Sequence, residues 1–196
     1  SLRHESQTGY VLALRFDLIP DEDRGRALES LVRDIGRRDT HLSTGLLGTS
    51  HLCPVLTAGD RADVAYDLLF QTTAPSWLFP VLAGATTMWE QWRGIEDGVF
   101  APAGMNSLNH YARGAVGEWM YSTIAGINPS ATDPGFKHVV VSPVPDSRLT
   151  YARASLETGY GIVRTGWRRE GERNLLLDVD IPANSRATIR LREAVP

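Results

Sequence analysis

Residues able to do chemistry gather in two short stretches. The first is Gly84–Gly94, GATTMWEQWRG, where one carboxylate, Glu90, sits between Trp89 and Trp92 behind a run of small residues. Such a setting suits sugar chemistry. Indoles exclude bulk water and offer flat faces to sugar C–H groups, and rigid neighbours hold an ionised base in place. A glutamate that caps or pairs at a helix end would leave the same trace, so the residues alone keep both readings open. The second stretch, NSLNHYARGAVGEWMY, carries Asn106, Asn109, His110 and Glu118. Trp77, Trp89 and Trp92, taken singly, read as packing residues. His41 and His51 could begin a metal site, but no third ligand follows at a suitable spacing. No metal and no other cofactor is expected. Cys53, in SHLCPVL, is the single cysteine and cannot form an internal disulfide. It reads as a small buried apolar residue rather than a nucleophile.

The elements that must position these groups are helical up to about Ile127. YVLALRFDLIP suits a buried helix ended by Pro20. The next segment opens with DEDR and closes with RDIGRRD, the charge order that a helix dipole favours. Its apolar face is Ala27, Leu28, Leu31, Val32 and Ile35. HLSTGLLGT reads as a loop, after which LLGTSHLCPVLTAGD resumes as a helix. Asp60 is placed to cap a fourth helix with Ala62, Ala65, Leu68 and Leu69 facing inward. SWLFPVLAG is short and interrupted by Pro80. The strongest periodicity runs from Ser107 to Ile124, with Leu108, Tyr111, Ala112, Ala115, Val116, Trp119, Met120 and Thr123 at helical spacing. The opposite face holds His110, Gly114, Gly117 and Glu118, which suits a helix packed on both sides in a layered helical barrel.

NPSATDPGF then breaks the helical pattern. KHVVVSPV is short and β-branched, and the remainder alternates between turn signals at TGYG, EGER and PANS. About five strands of a small β-sandwich are expected. Asn174–Ile181 alternates least cleanly. The fold class is therefore mainly α followed by all-β. About six helical segments in consecutive pairs make three αα-hairpins, too few to close a toroid. The chain opens directly on a helix and stops soon after its last strand, so it reads as the C-terminal piece of a longer design.

Several motifs, in order, carry a family resemblance. GATTMWEQW, GMNSLNHYARGAVGEWMY and PGFKHVVVSPVP are similar to the C-terminal region of the bacterial α-L-rhamnosidases, glycoside hydrolase family 78. QTGYVLALRFDLIP and HLSTGLLGTSHLCPVL fit the same family. The resemblance runs from about Ser6 to Leu191. It implies an (α/α)6 barrel followed by a small β domain, here residues 1–133 and 134–196. It also implies inverting hydrolysis of terminal α-L-rhamnose from a rhamnosylated glycoside. Glu90 matches the general base, in a TxWE-type motif. His110, in SLNHYA, matches a substrate-binding histidine able to donate to a sugar hydroxyl; the alternative is a core histidine satisfied by backbone or by a nearby acid. Asn106 and Asn109 could line the sugar pocket, but loop and capping roles suit them as well. The family's general acid lies upstream of the matched region. Glu118 is not that acid: it reads as a buried structural carboxylate, about 12 Å along a helix axis from His110.

The net charge of −3 and the absence of any basic run argue against nucleic-acid binding. No stretch reaches the ~18 apolar residues of a membrane span. SLRHESQTGY lacks an apolar signal core, so secretion cannot be read from it and the cytoplasm is slightly favoured. With one of two catalytic carboxyl groups, the chain alone is expected to be inactive. An unfinished barrel would expose an apolar face that invites self-association or pairing with the missing N-terminal half. A second hypothesis is a non-catalytic module of this fold that binds carbohydrate or a partner. A third, weaker one is a related (α/α)6 enzyme with another sugar substrate.

Overall fold

The computed structural model describes residues 6–100, 106–171 and 174–191. The chain divides into two compact units, one running to Val116 and the other starting at Gly117.

The first unit is built from short helices. α1 (Gln7–Arg15) is capped by Ser6, whose hydroxyl accepts from the Gly9 N–H at 3.1 Å. It ends at Arg15 rather than at Pro20. Asp17 takes a left-handed φ of 53°, and the Leu18 N–H donates back to Ala13 O at 3.0 Å. The apolar run read as one buried helix therefore leaves Phe16 56% and Leu18 70% exposed. Pro20 instead precedes α2 (Asp21–Arg37), which holds three acids in its first turn and Arg37 in its last. Ala27, Leu31 and Ile35 form its buried face.

α3 (Leu46–Ala58) buries Leu52, Cys53, Val55 and Leu56. α4 (Ala62–Phe70) buries Val64, Ala65, Tyr66 and Leu68. Asp60 does not cap α4. Its φ of 58° places it in the left-handed turn that ends α3, and Arg61 takes the N-cap position without a side-chain cap. α1 packs on α2 and α3, and α3 on α4. α5 (Leu78–Leu82) is a single short helix around Pro80. The hairpin β1 (Ile95–Glu96) and β2 (Val99–Phe100) follows.

The helix expected over Ser107–Ile124 is broken. Residues 107–110 are non-helical, Tyr111–Ala115 is a 3-10 turn, α6 covers only Val116–Trp119, and Met120–Ile124 is a π turn. The Ser107 and Leu108 carbonyls, which would open the i to i−4 ladder, accept instead from the Glu90 N–H and the Thr87 hydroxyl, and the Ala112 N–H turns to the His110 ring. The last turn ends at Ile124, where the periodicity ends, and Ile127–Pro129 is a strand.

In the second unit, β3 (Ile127–Pro129), β4 (His138–Val141) and β8 (Arg186–Ile189) form one sheet in the order β3-β4-β8. β3 runs antiparallel to β4, and β8 parallel to it. β5 (Tyr151–Thr158), β6 (Gly161–Glu170) and β7 (Asn174–Asp180) form a second, antiparallel sheet. Ile127, Val139 and Val141 from the first sheet meet Val163 from the second in one buried cluster, which makes the pair a small sandwich. Trp167 Nε1 donates to Ile124 O at 2.7 Å, and the Thr165 hydroxyl to Ala125 O at 2.8 Å. These bonds tie β6 to the end of the π turn.

Two consequences can be checked. Burial pushes the Cys53 thiol up to about 12. Thiolate is the reactive form, so Cys53 should resist a disulfide reagent at pH 8 in the native protein and react once the chain is unfolded in denaturant. Fast native reaction would place Cys53 outside the core. Gly126 has φ +81°, and a Cβ there would meet Pro143 N at 2.4 Å; Gly135 has φ +82° with nothing near. Gly135→Ala should cost about 1–2 kcal/mol of left-handed strain, and Gly126→Ala clearly more, as read from denaturant midpoints.

Candidate functional site

Residues 87–90 and 107–110 lie side by side, with the β1–β2 hairpin between them in sequence. The His110 N–H donates to Met88 O at 2.7 Å, and the Glu90 N–H donates to Ser107 O at 2.8 Å. The Ser107 N–H donates to Glu90 Oε2 at 2.9 Å, and the Thr87 hydroxyl donates to Leu108 O. Glu90 is thus held twice by the same residue, once through its backbone and once through its carboxylate. A charge-assisted bond to a backbone amide is short and directional. Among the described residues Oε1 has no hydrogen-bond partner, which leaves it open to a further donor.

A second set of contacts braces Glu90 from behind its peptide. Arg113 Nε donates to Glu90 O at 2.7 Å. The guanidinium lies 3.8 Å from the centroid of Trp92, a cation–π arrangement. Trp77 Nε1 donates to Arg113 O at 3.0 Å, and the Trp77 and Trp92 rings meet edge to face at 5.8 Å. Arg113 is 7% exposed. Burial lowers its pKa to about 10, with the Glu90 carboxylate pulling the other way, so it stays cationic at neutral pH. Its Nη1 is buried without a partner.

His110 caps the 3-10 turn. Its Nδ1 accepts from the Ala112 N–H at 3.4 Å, and its ring stacks on Tyr111. With Nδ1 as acceptor, the proton of the neutral ring is on Nε2, which is then a donor. The backbone ladder places His110 and Glu90 on adjoining stretches of chain.

The other expected residues fall elsewhere. Glu118, expected to be buried, is exposed on α6. Asn106 Nδ2 donates to Gly94 O at 3.0 Å, and its Oδ1 is buried without a partner. Asn109 is exposed, its N–H donating to the Ser107 hydroxyl at 3.1 Å. Trp77 and Trp89 are buried, and Trp89 packs so closely on Gly94 that a Cβ there would meet its ring at 3.1 Å. His41 bonds to Arg38 O and the Thr73 hydroxyl, whereas His51 meets Phe16 edge to face. A cavity of about 370 Å³ is lined by Arg38, His41, Ser43, Trp92 and Arg113 among others, and by neither Glu90 nor His110. Sequence reasoning missed Ser107 and Arg113. An arginine three residues after His110, amid small apolar residues, was the one available signal for the latter.

Comparison with known proteins adds a family. Residues 1–124 match the bacterial alpha-L-rhamnosidase 6 hairpin glycosidase domain, and residues 126–195 match the bacterial alpha-L-rhamnosidase C-terminal domain. An alpha-L-rhamnosidase of Streptomyces avermitilis is 46% identical over 189 residues, which are 96% of this chain and 18% of that protein. The crystal structure of the Streptomyces avermitilis enzyme complexed with L-rhamnose matches 94% of this chain and 18% of its own, with a TM-score of 0.90. That of an Aspergillus terreus α-L-rhamnosidase is 37% identical with a TM-score of 0.92, over 96% of this chain and 22% of its own. The chain spans about a fifth of the length of the curated relatives it matches. It belongs to the bacterial α-L-rhamnosidase family.

Proposed function

We propose that this family member supplies the general base of an inverting α-L-rhamnosidase, with Glu90 as that base and His110 as a donor to the bound sugar. The observation that carries this reading is the carboxylate of Glu90. One oxygen is fixed by the Ser107 N–H and the peptide behind it by Arg113 Nε, which leaves the other oxygen to face a water. In the reaction, that water gives its proton to Glu90 as its oxygen attacks the anomeric carbon. The glycosidic bond breaks on the opposite face, and a second carboxyl group, about 6.5–9.5 Å away, protonates the leaving oxygen. Inversion follows because attack and departure occur on opposite faces. The Nε2–H of His110, on the stretch beside Glu90, orients a sugar hydroxyl. We assign the general acid to chain upstream of the region matched here, so these residues alone hold the base without its partner.

Two assays test this. The purified chain should release no p-nitrophenol from p-nitrophenyl α-L-rhamnoside above background; turnover by the chain alone would overturn the assignment of the acid to another segment. A chimaera in which the chain replaces the matching 18% of the Streptomyces avermitilis enzyme should turn over. In it, Glu90→Gln should lower kcat by about 10²–10⁴-fold. A Glu90→Gln chimaera with parental kcat would remove Glu90 from the chemistry.

A further inference from the structure

We infer that Arg113 is a positioning residue for Glu90, acting through the Glu90 peptide rather than on the sugar. The inference rests on the reading of Glu90 as the base, but its geometry stands apart from that reading. Arg113 makes a 2.7 Å bond to Glu90 O, lies 3.8 Å from the Trp92 centroid, and offers its own carbonyl to Trp77 Nε1. The first two contacts grip both ends of the segment Glu90–Trp92 from one side chain, and the third anchors the Arg113 backbone. The Ser107 N–H grips the carboxylate from the other direction. A carboxylate held at its oxygen alone would still swing about its own backbone; one held at peptide and oxygen together cannot.

The arrangement is costly as mere packing. A buried guanidinium with Nη1 unpartnered is destabilising compared with an apolar residue of similar volume. The contacts also need a guanidinium rather than a positive charge alone. A planar guanidinium donates in its plane through Nε while its flat face lies on an indole; a lysine ammonium, a point charge on a flexible stem, lacks that fixed geometry. Arg113 therefore fixes direction, and its charge is secondary.

Arg113→Lys and Arg113→Gln test this in two settings. In the full chain, amide resonances of Glu90 and Ser107 should shift in both variants, while those of Val163 and Trp167 in the second unit stay put. In the chimaera, kcat should fall by about 10- to 100-fold, the scale of a misplaced catalytic group, with KM within about threefold and with lysine failing to restore it. Parental kcat in a variant shown by melting to be folded, or unmoved Glu90 and Ser107 resonances, would overturn the inference. Should Arg113→Gln not fold, Arg113→Lys carries the test alone. If Glu90→Gln keeps parental kcat while the resonances still move, the assignment of the base has failed and the positioning contact has not.

Discussion

The first unit turns on one reciprocal contact. Glu90 gives its backbone N–H to Ser107 O and takes the Ser107 N–H on its carboxylate. Both bonds are possible only if residues 87–90 and 107–110 run alongside each other, and this one constraint accounts for several neighbouring features. The Ser107 and Leu108 carbonyls accept from the Glu90 N–H and the Thr87 hydroxyl, so the oxygens that would open a helix at Ser107 are already engaged. His110 then becomes the cap of the following turn, and its ring nitrogen is committed as an acceptor. Arg113, one turn later, comes within reach of the Glu90 carbonyl.

Legibility from the sequence followed the range of the interactions involved. α2 was readable because its charges and its apolar face are local features. The second unit was readable because β5 alternates strictly and turn residues mark its ends. The stretch Ser107–Ile124 misled for the opposite reason. Its apolar spacing is helical, and part of it is helical, but its first residues bond to chain some 17 positions away. Periodicity reports on a face to be buried and says nothing about a competing partner for the backbone. Asp60 failed in the same way: a residue suited to capping is equally suited to a left-handed turn, and the end of α3 claimed it.

Glu90 stood out because an acid between two tryptophans is unusual, and the family resemblance gave it a role. Its tertiary support did not stand out. Ser107 acts through its backbone amide, which any residue but proline provides. Arg113 acts through a guanidinium that, in sequence, resembles any arginine on a helix. Glu118 looked more interesting than either and is exposed. The tryptophans, taken one at a time, read as packing, and Trp77 and Trp89 are buried. What no single residue could reveal is that Trp77 and Trp92 pack as a pair beside the arginine that bonds to the Glu90 backbone carbonyl.

The central claim is that Glu90 removes a proton from the attacking water, and the most direct measurement replaces that water with a nucleophile that needs no base. With Glu90→Gln in the chimaera, added azide should restore release of p-nitrophenol, and the sugar product should be the rhamnosyl azide of inverted, β configuration. Absence of rescue across a range of azide concentrations, or a product of retained configuration, would contradict the account.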